Sequence, residues 1–220
     1  MKNQHGIKQQ PLKKNVFWQK IVLLALFLMF LSGALAIPFY FETMTLWYKV
    51  GTDKTLLRGG QVAGMFVLVL LFSQIVFAVR GQFLEKLFGI AAMARFHRIN
   101  GLVILAMAMS HVFLVLAPEG LNNLPIGKKF WPEMVGALLL IIISSMVISS
   151  YFQQRLTLNY SIWRPVHKTL GYLSLILLPI HVLFVSDSFE QTPLRAILIM
   201  LTIILFLWVI IEKIMVRFQR

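Results

Sequence analysis

The chain carries one pattern twice, in HRINGLVILAMAMSH (residues 97–111) and in HKTLGYLSLILLPIH (residues 167–181). Each segment begins with a histidine that is followed by a basic residue, has glycine at its fifth position, and ends with a second histidine fourteen positions after the first. The residues between are mostly apolar, as in a membrane-spanning helix. The repeat therefore predicts two membrane helices with histidines in equivalent places.

The composition is that of a membrane protein. Hydrophobic residues make up 59% of the chain and charged residues only 13%, far from the usual make-up of a soluble domain. The net charge of +13 does not indicate nucleic-acid binding, because the bases lie between apolar runs and form no stripe on a soluble face. Cysteine is absent, which excludes disulfides, thiolate-bound clusters and covalently attached c-type haem.

Apolar runs of about 20 residues, long enough to cross the hydrocarbon core as helix, occur six times. We place the predicted spans near 17–41, 60–79, 97–117, 133–152, 166–186 and 194–216. The predicted fold is an all-α, six-helix membrane bundle, with a basic cytoplasmic tail (1–16) and one membrane domain (17–220). The first run also fits a signal peptide. The remaining polar segments, around 42–59 and 118–131, are too short for a nucleotide-binding domain.

Basic residues are distributed unevenly between the two sides of the predicted bundle. One side has six of the 21: Lys49, Lys54, Arg58, Lys128, Lys129 and Arg195. The other fifteen precede span one, separate spans two and three and spans four and five, or end the chain. Because bases are retained in cytoplasmic loops, both termini are predicted to be cytoplasmic.

Helix geometry places the four histidines of the repeat in two layers. Fourteen residues of helix rise about 21 Å and turn about 40° short of four full turns, so both histidines of one span lie on nearly the same face. Spans three and five run in the same direction. If their histidine faces oppose, His97 meets His167 on the cytoplasmic side and His111 meets His181 on the outer side.

The ligand type limits what each layer can hold. Imidazole suits iron, zinc, copper and nickel, and two imidazoles from opposite helices suit the axial positions of a haem iron. Gly101 and Gly171, one turn from His97 and His167, would let a flat porphyrin approach the backbone. Candidates for binding haem propionates are Arg95, Arg98, Arg164 and Lys168 at the inner layer, and Lys128 and Lys129 at the outer layer.

Other interpretations of these residues stay open. A membrane histidine also commonly forms a hydrogen bond between helices, and the bases beside His97 and His167 serve equally well as topology signals. Gly60 and Gly64 fit the small-xxx-small pattern of closely packed membrane helices. His5 lies in the basic tail, outside the repeated pattern.

Two stretches resemble the paired signatures of the ferric reductase-like transmembrane domain: RFHRING (95–101) through His111, and WRPVHK (163–168) through Gly171 to His181. That superfamily includes ferric reductases, NADPH oxidases and the haem-binding membrane subunit of the bacterial methionine-sulfoxide reductase system. The resemblance implies a six-helix bundle with two stacked b-type haems. It also implies an axial ligand role for each of the four histidines, His97, His111, His167 and His181.

The sequence departs from its relatives in two respects. Reductases and oxidases of the superfamily usually continue into a flavin and nicotinamide domain, whereas this sequence has none before Arg220, which leads us to expect a separate electron donor. In this respect the chain is similar to the methionine-sulfoxide reductase subunit. That subunit, however, typically lacks the equivalent of His97.

The expected function is transmembrane electron transfer by a di-haem cytochrome b, as the membrane subunit of a multi-component oxidoreductase in a bacterial inner membrane. The expected donor is a cytoplasmic flavoprotein reductase or a membrane quinol, and the acceptor is an extracytoplasmic redox protein or small molecule. The sequence alone does not reveal whether a flavin or a quinone also binds. Three alternatives remain: direct reduction of ferric chelates or oxygen at the outer face, metal-ion transport along the imidazoles, and a structural membrane anchor.

Overall fold

The computed structural model describes residues 9–79, 81–120 and 123–218, with side chains between residues 15 and 215. Within these ranges the chain is helical and has no strand. Its helices are α1 (Gln9–Tyr40), α2 (Met44–Trp47), α3 (Gly51–Val79), α4 (Gln82–Phe88), α5 (Ile90–Leu116), α6 (Trp131–Tyr151), α7 (Tyr160–Val185) and α8 (Thr192–Phe218). The bases Lys2, Lys8, Arg80 and Arg220, as well as His5, lie outside the described residues.

Six of these helices are long and apolar enough to cross a membrane, which confirms the predicted all-α, six-span architecture. The spans are Asn15–Tyr40, Gly51–Val79, Ile90–Leu116, Lys128–Tyr151, Tyr160–Val185 and Thr192–Met215. Four helices begin well before their predicted spans: α1 at residue 9 instead of 17, α3 at 51 instead of 60, α5 at 90 instead of 97, and α7 at 160 instead of 166. Hydropathy detects the part of a helix that lies in hydrocarbon, and these helices extend beyond it in their first turns.

Two segments expected to be loops contain short helices. In the segment around 42–59, α2 buries Leu46 completely, and α3 already begins at Gly51. Between spans two and three, α4 buries Leu84 and Leu87. Gly89, with φ of +77°, joins α4 to α5 in a backbone conformation that favours glycine.

The bundle is organised around α3, the most buried of the spans. It packs along α5, and α6 packs along α7, while α1 and α8 lie against α3. A Cβ atom at Gly60 would lie 2.7 Å from Val115 Cγ2 and 3.1 Å from the Val115 backbone nitrogen. The prediction that Gly60 serves close helix packing is therefore confirmed, with α5 as its partner.

We call the two ends of the bundle the His97 end and the His111 end. At the His111 end, polar side chains join the loops. Glu42 accepts a hydrogen bond from Arg58 and forms an ion pair with Lys54 (3.1 Å). The hydrogen bond from Lys54 is the largest of the causes that lower the pKa of Glu42, and the charges of Lys54 and Arg58 add to it. Lys49 pairs with Glu119 (2.8 Å).

A buried polar network joins α3 to α5 beside His97. The side-chain amide of Asn100, only 5% exposed, donates to Gln74 Oε1 (2.7 Å) and to the Leu70 carbonyl (3.1 Å). Gln74 Nε2 in turn donates to the His97 carbonyl (2.8 Å). Because apolar contacts alone do not fix the sliding of one membrane helix along another, this network sets the position of His97 relative to α3.

Replacing Asn100 with alanine is expected to destabilise the protein by about 1–3 kcal/mol, because Gln74 Oε1 loses its buried donor. Replacing both Asn100 and Gln74 with leucine should cost less than the sum of the two single changes, since neither partner is then left unsatisfied. Thermal unfolding in detergent measures these differences. Ser110→Ala is the control, because its exposed hydroxyl donates to the Ala106 carbonyl of its own helix. Additive effects of the two leucine substitutions would contradict the coupling.

Candidate functional site: two histidine pairs

Four histidines meet in two pairs inside the bundle. The rings of His97 on α5 and His167 on α7 have their centres 6.2 Å apart. Those of His111 on α5 and His181 on α7 are 6.5 Å apart. These are the two pairs that helix geometry predicts from the sequence spacing.

The separation within each pair fits one metal ion between two imidazoles. A ligating nitrogen lies about 2 Å from a first-row metal ion and about 1 Å from the centre of its own ring, so two rings on opposite sides of one metal have centres about 6 Å apart. The observed 6.2 and 6.5 Å agree with this value. In the described part of the chain, no three of His, Cys, Asp and Glu come together as a metal-binding group. Paired imidazoles suit a haem iron, whose other four ligands come from the porphyrin.

The pair at the His111 end is held by two backbone carbonyls. His111 Nδ1 lies 2.7 Å from the carbonyl oxygen of Gly60, and His181 Nδ1 lies 2.9 Å from that of Pro132. A carbonyl oxygen can only accept, so each Nδ1 carries the proton and donates it. In a neutral ring, Nε2 then keeps the lone pair that binds a metal, and the hydrogen bond fixes the ring orientation.

A glycine completes each of these contacts. One helical turn after Gly60 comes Gly64, where a Cβ atom would lie 2.9 Å from His111 Nδ1 and Cε1. One turn after Pro132 comes Gly136, where a Cβ atom would lie 2.7 Å from His181 Nδ1 and closer still to Cε1. Both imidazoles therefore lie directly on the backbone of a neighbouring helix, in space that only glycine leaves open. We call these two arrangements the glycine cradles.

The pair at the His97 end is supported differently, by side chains. Ser150 Oγ on α6 lies 3.4 Å from His167 Nδ1. The indole ring of Trp163 lies against the His167 ring, with centres 5.0 Å apart, and its Nε1 donates to Ser149 Oγ (3.3 Å). Polar side chains of α6 therefore contact both His167 and Trp163.

The two glycines singled out in the sequence have room around them. A Cβ atom at Gly171 would have no described atom within 4 Å, and one at Gly101 would make only ordinary contact, 3.5 Å from Gln74 Nε2. Packing between protein atoms therefore requires glycine at neither position.

The predicted propionate-binding bases lie on the same two helices. Arg95 and Arg98 flank His97 on α5, while Arg164 and Lys168 flank His167 on α7; all four side chains are exposed. Lys128 and Lys129 lie, also exposed, in a 3-10 helix directly before α6, at the His111 end. The structure thus places each set at the end of the bundle where its layer lies.

A family model described as the ferric reductase like transmembrane component matches residues 63–178, which is more than half of the chain. The chain belongs to the ferric reductase-like transmembrane family. Searches of curated proteins and of solved structures gave no significant match. The ferric reductase-like segment runs from α3 into α7, contains His97, His111 and His167, and ends three positions before His181.

Family membership gives the general function. Ferric reductase-like domains generally bind haem, and the family indicates transmembrane electron transfer in general. Together with its six apolar helices, this makes the ferric reductase-like chain a multi-pass integral membrane protein.

Sequence reasoning missed several residues of the site. Gly136, the Pro132 carbonyl and Ser150 all lie on α6, a helix to which the sequence assigned no role. Gly64 was assigned to helix packing alone, without its contact to an imidazole. The sequence pattern that the two cradles share is a glycine or proline followed four positions later by glycine, at 60 and 64 and again at 132 and 136.

Proposed function

We propose that this protein carries electrons across the membrane by holding two b-type haems, one between His97 and His167 and one between His111 and His181. The observation that carries the proposal is the separation of the paired rings, 6.2 and 6.5 Å, which suits one iron between two imidazoles. Each haem, when bound, supplies an iron that accepts and releases one electron.

The chain's own residues hold and orient these groups. With both imidazoles of a pair bound to one iron, no coordination site would be left for a substrate, so the proposed role is electron transfer and not catalysis at the metal. The Gly60 and Pro132 carbonyls keep the Nε2 atoms of His111 and His181 free to bind a metal.

Space and charge support a porphyrin at the His97 end. The open surroundings of Gly171, and the merely ordinary contact at Gly101, leave room for a flat ring against the backbone. The exposed bases that can pair with its propionates are Arg95, Arg98, Arg164 and Lys168. For the second haem, Lys128 and Lys129 are the corresponding candidates.

The proposed direction follows from the charge distribution in the sequence. With both termini in the cytoplasm of a bacterial cell and the bundle in its inner membrane, the His97 end faces the cytoplasm. A reduced flavoprotein or a membrane quinol donates there, and a redox protein or small molecule accepts at the His111 end. The chain would then be one subunit of a multi-component oxidoreductase.

The first test is the absorption spectrum of the purified protein from haem-replete cells. The expected result is a dithionite-reduced b-type spectrum with about two haems per chain. Gly171→Leu is expected to lose the haem of the His97 end, because its side chain would occupy the space proposed for the ring. A stable but colourless wild-type protein would overturn the proposal.

The matched control is Gly33→Leu. A Cβ atom at Gly33 would likewise have no described atom within 4 Å, but this glycine lies on α1, away from the histidines. The control variant should keep both haems. Equal haem loss in the two leucine variants would mean that the change at Gly171 acts through general destabilisation.

A further inference from the structure

Trp163 connects the exposed beginning of α7 to the His97–His167 pair. Its ring centre lies 5.0 Å from that of His167 and 5.8 Å from that of Tyr160, against which it stacks. Tyr160 is 56% exposed. Rings on three successive turns of one helix therefore lead from the surface to the candidate metal site.

The orientation of Trp163 is not that of an interfacial anchor. Tryptophans at membrane interfaces keep their apolar body in lipid and their N–H group in the wet headgroup layer. Here the N–H group is directed to Ser149 Oγ on α6, and the ring lies against His167. Anchoring to the interface therefore does not explain the position of this side chain.

The surface around Tyr160 has unbalanced positive charge. Arg164 lies over the Tyr160 ring, 6.0 Å from its centre. Arg164, Arg155 and Lys168 are exposed and form no ion pair with any acid among the described side chains. At the His111 end, Glu42 pairs with Lys54 and Arg58, and Glu119 pairs with Lys49. Uncompensated positive charge attracts and steers an acidic partner.

We propose that Trp163 is where electrons enter the His97–His167 site, and that Tyr160 and Arg164 form the docking surface for an acidic, water-soluble flavoprotein. The inference rests on the proposed function. One electron leaves the reduced flavin and reaches the iron held by His97 and His167. The flavin is oxidised by one electron, the iron is reduced by one, and no covalent bond forms or breaks.

The test uses the haem-loaded chain in liposomes, with reduced FMN added outside as the probe. Vesicles that expose the beginning of α7 are selected through a C-terminal tag, because Glu212 near the end of α8 lies beside Gly81 at the His97 end. Stopped-flow absorption spectroscopy measures the rate at which the haem is reduced once. Trp163→Leu is expected to slow it several-fold, whereas Trp163→Phe, which keeps an aromatic ring, should retain most of the rate.

The matched control for this change is Trp131→Leu. Trp131 packs on Phe184 at the His111 end and should not affect the rate. Haem per chain and the midpoint potential are measured for every variant. If Trp163→Leu shifts either of these, Trp163 positions His167 and the entry role is rejected. An unchanged rate in a variant that holds both haems also overturns the entry role, while leaving the proposed function intact.

A second arm tests the docking surface. Arg164→Glu is expected to slow reduction by FMN, whose phosphate is anionic, and to spare reduction by the methyl viologen radical cation. Rising salt should reduce the wild-type difference between the two probes. Arg195→Glu, exposed at the opposite end, is the control. If Arg164→Glu changes neither rate, the base serves topology or lipid headgroups, and the docking surface is rejected.

Discussion

Replacing both His97 and His167 with alanine is expected to remove no more haem than replacing either one alone. In the proposed arrangement the two imidazoles of a pair share one iron, so the loss of one ligand would already break that site. Each single variant, and the double variant within one pair, should hold about one haem per chain instead of about two. Changing His97 and His111 together, one from each pair, should leave none. Pyridine haemochrome assays against protein concentration measure these ratios.

This set of variants tests the pairing itself. Ser110→Ala, next to His111, should keep both haems, because its hydroxyl donates to the Ala106 carbonyl of its own helix. If the double change within one pair removed both haems, or if the change across pairs left one, the assignment of partners would be wrong. Thermal unfolding of each variant separates haem loss from failure to fold.

Gly136→Ala is expected to remove haem from the His111–His181 site, although the substitution adds only a single methyl group. The new Cβ atom would lie 2.7 Å from His181 Nδ1, and the ring cannot move away without weakening its hydrogen bond to the Pro132 carbonyl. Such overpacking typically costs about 1–3 kcal/mol. The haem content should fall from about two towards about one per chain, with the loss confined to the His111–His181 site. Haem content and a redox titration measure it.

The other glycine cradle gives a graded comparison. At Gly64 the added atom would lie 2.9 Å from His111, so Gly64→Ala should have the weaker effect of the two. Gly33→Ala, with no described neighbour within 4 Å, should keep both haems and gain about 1 kcal/mol of helix stability. Full haem content and an unchanged potential in Gly136→Ala would show that the ring relaxes freely, against the cradle described here.

The pairing of the histidines could be predicted from the sequence because a helix converts sequence spacing into rotation and rise. The interval between His97 and His111 recurs between His167 and His181, so two parallel helices bring the four rings together in two layers. Hydropathy likewise predicted six spans. It missed the first turns of α1, α3, α5 and α7, because helical hydrogen bonding continues beyond the hydrocarbon layer that hydropathy detects.

The support of the rings could not be predicted in the same way. The acceptors for His111 and His181 are main-chain carbonyls, which every residue type carries, so apart from their spacing to Gly64 and Gly136 nothing identifies Gly60 and Pro132 as acceptors. Gly136 lies within an apolar run, where glycine has several other uses. A tryptophan at the predicted membrane interface is already accounted for by the aromatic belt. Only the tertiary structure reveals that Trp163 contacts His167.

The packing of α3 along α5, and of α6 along α7, also has a consequence for biogenesis. Each layer takes one imidazole from the segment synthesised first and the other from the segment synthesised later, so neither half has a complete ligand set. The first hairpin emerges from the ribosome and enters the membrane before α7 exists. Until the second hairpin docks, the face of α5 that carries His97 and His111 would border lipid, and the proposed porphyrin would reach it from that side. Haem binding at both layers would then occur only after α7 has been translated completely.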